Sequence, residues 1–200
     1  MVIVEAVLET YDAVDFTAWP ITEPSSDRLL VLSGRMSPAD VGTAMAVIFS
    51  YNRIPLTHAA DLTEAHLEQH LAETEGLIAP GGLRFRDTAT NASVPPGCCF
   101  GLENWREWWN VAHGQQPWLG HDPATHITHA GHVIRLQQDD EGSPSIEITR
   151  GELSSLLTTA QQHLSGFLDL ARKWAATNTP GPADRLISAL DRYFVINATE

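Results

Sequence analysis

Short apolar runs alternate along this chain with longer polar stretches, and the spacing inside each run predicts its element. Residues 2–8 (VIVEAVL) and 28–33 (RLLVLS) are short apolar runs flanked by polar and proline-containing segments. They predict strands, with residues 10–27 irregular between them. Ser37, Pro38 and Asp40 combine a cap, a proline at the first helical position and an acid in the first turn. Val41, Ala44, Met45 and Ile48 then recur on one face, which predicts a helix to about Tyr51. Asp61, with Glu64 in the capping-box position and Gly76 as a stop, predicts a second helix. Residues 83–87 (LRFRD) alternate as a strand does, after a turn at Pro80, Gly81 and Gly82 and before a loop over 88–97. Residues 132–136 and 145–149 predict a hairpin with an acidic tip.

The clearest periodicity follows. Thr149 and Glu152 form a capping-box pattern, and Leu153, Leu156, Leu157, Ala160, Leu164, Phe167, Leu168, Ala171 and Trp174 keep helical spacing. One long core-facing helix is expected over 150–176, with Gly166 as its candidate bend. After Pro180, Gly181 and Pro182, a last helix presents Leu186, Ala189, Leu190, Tyr193 and Phe194. A helix beginning near Gly101 places Leu102, Trp105, Trp108, Trp109 and Ala112 on one arc, the pattern of a core-facing element. Together these predict an α+β fold in a single domain spanning 1–200. A small, mainly antiparallel sheet is covered chiefly on one side by the long helix and the helix at 38–51. The tryptophan helix is expected at the sheet edge or under the C-terminal helix.

Composition narrows the function classes. The 200 residues carry 25 acidic and 12 basic side chains, a net charge of −13. The acids are spread over both halves. Such a field repels phosphate backbones, so nucleic-acid binding is not expected, while a basic protein would be steered towards it. The N-terminus has no preceding basic residues, meets Glu5 early and lacks the apolar run of a signal peptide or a membrane span, so a cytoplasmic location with no membrane partner is expected. Adjacent Cys98 and Cys99 rarely meet disulfide geometry and fit a reducing compartment as free thiols.

Residues 95–123 concentrate the unusual chemistry, with four of the six tryptophans, both cysteines and two histidines. Trp118, behind Pro117 in a loop, is expected to be partly exposed. Cys98 and Cys99 lie just before the tryptophan helix, whose N-terminus would lower a thiol's pKa beside a histidine. Free cysteine is nevertheless among the most buried residue types, and packing is the preferred reading. His121, Asp122, His126, His129 and His132 crowd together, but His126 and His132 on one extended strand lie about 20 Å apart at ~3.3 Å per residue. They could share an ion only through a turn at Ala130 and Gly131. His66 and His70 stand at i, i+4 in HLEQH, without the glutamate of a zincin. Nucleotide-binding glycine loops, the nucleophile elbow, paired CxxC and the EF-hand loop are all missing from the sequence.

The run GCCFGLENWREWW, followed by PWLGHDP and by the helix ending GFLDLARKWAA, resembles a group of uncharacterised acidic actinobacterial proteins over about residues 80–195. That resemblance implies no activity, ligand or catalytic residue. The expectation is a non-catalytic protein-binding module, an inhibitor or immunity-type partner of a basic protein. Its contact residues would be Trp118, His121, Asp122, Asp139, Asp140 and Glu141. No catalytic residue, metal ligand or cofactor is assigned. The alternatives are a metal-dependent hydrolase using the clustered histidines and a cysteine-dependent enzyme using Cys98 or Cys99.

Overall fold

The computed structural model describes residues 1–13, 15–54, 56, 58–73, 76–138 and 142–197. In chain order the elements are β1 Val2–Glu9, β2 Leu29–Leu32, α1 Pro38–Tyr51, α2 Glu64–Glu73, β3 Gly81–Asp87, β4 Ser93–Val94, α3 Glu107–Ala112, β5 Thr125–Ala130, β6 Val133–Gln138, β7 Ile146–Thr149, α4 Arg150–Asn178 and α5 Ala183–Tyr193. The fold is α+β as expected, with one difference of architecture. The strands form two antiparallel sheets, a four-stranded one in the order β2-β1-β3-β4 and a three-stranded one in the order β5-β6-β7. The buried residues of both sheets and of the helices form one continuous cluster.

Local chemistry sets most boundaries. Ser37 Oγ accepts the Asp40 amide at 3.2 Å while the Asp40 carboxylate accepts the Ser37 amide at 2.9 Å, a reciprocal cap that starts α1. Thr149 and Glu152 repeat the arrangement at α4. The second helix starts later than the sequence predicts. Asp61 instead closes a preceding 3-10 turn by accepting the His58 amide at 2.7 Å, and the Thr63 hydroxyl accepts the His66 amide at the true start. The predicted tryptophan helix is divided into a 3-10 turn, Leu102–Asn104, and the short α3. Around that break Glu103 accepts the amide of distant Ala79 at 3.0 Å, and the Asn104 side chain bonds the Phe100 carbonyl, a local bond that competes with a continuous helix.

Gly81 and Gly82 belong to β3 rather than to a turn, pairing with Leu8 and Val7 of β1, and the space a side chain would need there is taken. A Cβ on Gly81 would collide with the Val7 carbonyl oxygen, and one on Gly82 would lie 2.9 Å from Pro96. Pro96 thus rests directly on the sheet and holds the following loop over it. Along β3, Leu83 and Phe85 face inward, where the Phe85 and Trp108 rings meet at 4.5 Å, and Arg84 and Arg86 take the other face. Pairing of β1 with β3 sets Glu5 directly opposite Arg84. That outer face, roofed by the loop after β4, is where Cys98 and Asp122 come to lie.

Candidate functional site

Arg84 is almost wholly buried and holds two carboxylates, Glu5 through Nε at 2.8 Å and Asp27 through Nη1 at 2.7 Å. Asp27 also accepts from the Ser25 hydroxyl at 2.7 Å and from the Leu29 amide at 3.2 Å. Led by the Ser25 hydrogen bond, and against an opposing effect of burial, these hold its pKa down to about 2. Above this ion triad opens a cleft of about 740 Å³, lined on the sheet side by Glu9, Tyr11, Leu29 and Arg86 and on the loop side by Pro96, Cys98, Asp122 and Pro123.

Two loops build the far wall. Cys98 and His121 pair as an antiparallel bridge, with N–H···O distances of 2.6 and 3.2 Å. The strands meet this closely because each carries a glycine at the contact. A Cβ on Gly97 would fall 2.9 Å from the Leu119 oxygen, and one on Gly120, at φ +94°, would fall 2.7 Å from the Cys98 oxygen. Two non-glycine residues beside the bridge, Cys99 at φ +65° and Asp122 at φ +47°, hold left-handed backbone. Strain of that kind persists where the surrounding structure enforces it.

The bridge brings both thiols and an imidazole together. Cys98 Sγ and Cys99 Sγ are 3.1 Å apart, and a ring nitrogen of His121 lies within 4.8 Å of both sulfurs. His121 Nδ1 lies 2.9 Å from Asp122 Oδ2. The two cysteines are exposed rather than packed in the core, which corrects the preferred sequence reading. Nor does a helix N-terminus activate them, because a 3-10 turn and the six-residue α3 follow instead of a continuous helix. The Cys98 thiol is pushed up from its ordinary pKa, first by its hydrogen bond to Cys99, then by burial and the negative charge of its neighbours.

The structure places three of the six expected contact residues together. The Trp118 ring lies 6.2 Å from His121 and 6.3 Å from Phe100, and it is 60 % exposed. Asp122 is exposed at the cleft. Asp139, Asp140 and Glu141 lie outside the described residues. The other histidines take separate places. The β5-β6 hairpin turns at Gly131 and His132, with His126 and His129 on opposite faces of β5 and His129 Nε2 3.2 Å from the Gln115 carbonyl. His66 and His70 line a smaller cavity beside Asp61 and Glu73. Among the described residues, neither set joins a third ligand as closely as Cys98, Cys99 and His121 do.

The ion triad and cleft have no assigned role in the sequence reading. Their signal was the alternation of LRFRD, which puts Arg84 and Arg86 opposite Phe85 on the strand. No described helix is long and apolar enough to cross a membrane. Comparisons with protein-family models, with curated proteins and with solved structures find no match for this chain.

Proposed function

We propose that this chain is a non-catalytic protein-binding module for a basic partner, of the inhibitor or immunity type, acting in the cytoplasm. One observation carries the reading: an exposed aromatic ring, Trp118, stands close to His121 and the exposed Asp122 at a cleft whose wall also bears Glu9. Aromatic anchors beside carboxylates suit an arginine- or lysine-bearing segment, since the rings take cations on their faces and the acids pair with them. The net charge of −13 would speed encounter with a cationic protein and disfavour nucleic acid.

The test is affinity capture from host extract on the immobilised full chain, at low and at physiological salt. The expected result is retention of a basic protein that weakens as salt rises. For a hot-spot residue worth about 2 kcal/mol, Trp118→Ala should weaken it roughly 30-fold. Retention unchanged in a Trp118→Ala/Asp122→Asn double variant, or no retained protein at low salt, would overturn the proposal.

A second reading, a cysteine-dependent enzyme, is favoured by the convergence of Cys98, Cys99 and His121. It requires a thiolate at neutral pH or below. Labelling of Cys98 or Cys99 at pH 6 faster than a free cysteine peptide supports it, and labelling slower than the peptide removes it.

A further inference from the structure

We propose that Cys98, Cys99 and His121 form a binding site for a thiophilic divalent metal ion, of which zinc is the natural candidate. The two sulfurs and an imidazole nitrogen already lie within 4.8 Å of one another. A tetrahedral ion at ~2.3 Å from sulfur and ~2.0–2.1 Å from nitrogen sets its ligand atoms about 3.6–3.8 Å apart. The 3.1 Å between the sulfurs then has to open by about 0.7 Å, within reach of small side-chain rotations. Two thiolates with one imidazole select soft or borderline ions over magnesium or calcium, whose ligands are oxygens.

Three further features suit a metal. The backbone under the ligands is fixed by the paired hydrogen bonds between Cys98 and His121 and by the glycine contact beneath them, so little ordering is left for binding. Asp122 holds one ring nitrogen of His121 at 2.9 Å, the outer-shell carboxylate that orients a ligating imidazole and raises its basicity. If the ring donates Nδ1–H to Asp122, its lone pair stays on Nε2. The residues are also exposed at the mouth of the cleft, which leaves a fourth position open to water or to a bound molecule. Binding replaces two S–H bonds by two metal–sulfur bonds and releases both protons to solvent, so the ion and the two thiolates leave the net charge of the chain unchanged.

This site shares His121 and Asp122 with the partner-binding surface but does not rest on that reading, and it is measured on the isolated chain. Full-length protein without a histidine tag is reduced, stripped with a chelator, and titrated with Zn²⁺ or with Co²⁺ as a spectroscopic probe. The expected result is one ion per chain, a thiolate-to-cobalt charge-transfer band, release of two protons and protection of both thiols from alkylation. The Cys98→Ser/Cys99→Ser double variant should lose the band, and His121→Gln should weaken binding at least ~10-fold, with Asp122→Asn weakening it about 10–100-fold. A His66→Gln/His70→Gln variant should bind as the parent does. Failure of the reduced parent to retain either ion, retention by the double cysteine variant, or alkylation equally fast with and without zinc overturns the proposal. Thiol protection is read on the parent protein, so that outcome does not depend on any variant folding.

Discussion

Trp105 is wholly buried, donates from Nε1 to the Phe194 carbonyl at 2.8 Å, and carries the Arg106 guanidinium over its ring at 4.8 Å. Replacing it by alanine should cost about 3–5 kcal/mol in chemical denaturation, through lost burial and a cavity. Trp118→Ala, at an exposed indole, should fall within about 0.5 kcal/mol of the parent in the same experiment. The burial of Leu102, Trp105, Trp108 and Ala112 was readable from spacing, whereas Trp109, placed on the same arc, is only half-buried and the helix is broken before α3. The opposite fate of Trp118 was suggested by Pro117 but settled by the loop pairing that turns it outward. Two carboxylates respond to pH with opposite signs. Asp27 has its folded pKa lowered to about 2, so its contribution is present above the ordinary carboxylate pKa of ~3.9 and is lost as pH falls through that window towards 2. Glu103 is raised, chiefly by burial, so it favours the fold while protonated and that contribution declines as pH rises through its shifted pKa. Asp27→Asn should therefore flatten the acid side of a stability–pH profile measured by denaturant titration, and a profile as steep as the parent's would contradict the role given to Asp27.

Among the elements, α4 is the one the sequence states most fully, from its Thr149–Glu152 cap to its apolar stripe. What its pattern concealed is the use of Gly166. The sequence suggests a bend there. The structure shows the helix backbone against the Ser33–Gly34 turn, where a Cβ on Gly166 would sit 2.8 Å from Gly34 Cα. Gly166→Ala should thus destabilise the protein by about 1–3 kcal/mol, because the backbone must move apart. In an unobstructed helix the same change would help by up to ~1 kcal/mol. A raised Tm for Gly166→Ala would refute the close contact. Strand β5 shows the complementary gap. Its THITHA run has weak apolar alternation, with residues 125, 127 and 129 half-buried, so its identity as a strand comes from pairing with β6 rather than from its own composition.

On the scale of the whole molecule, α4 touches β1, β2, β7, α1, α3 and α5, and so joins the two sheets through one core. The segment after α5 closes that core. The Phe194, Val195 and Ile196 carbonyls accept from Trp105, Arg106 and Gln161, and the Phe194 and Ile196 side chains are fully buried. Deleting residues 194–200 should abolish the cooperative thermal transition seen by circular dichroism, since it removes two core side chains and the acceptors of four side-chain hydrogen bonds. The caps of α1 and α4, the helical stripes and most strand segments were legible in the amino-acid order, because the hydrogen bonds and periodicity that define them act over a few neighbouring positions. The division into two sheets was not, and neither was the strand role of Gly81 and Gly82, nor the meeting of Cys98 and Cys99 with His121 beside the Arg84 triad. Those depend on which segments, distant along the chain, pack against one another. That choice is made by steric fit, such as Pro96 over Gly82 and Gly97 against Gly120, and local pattern carries no record of it.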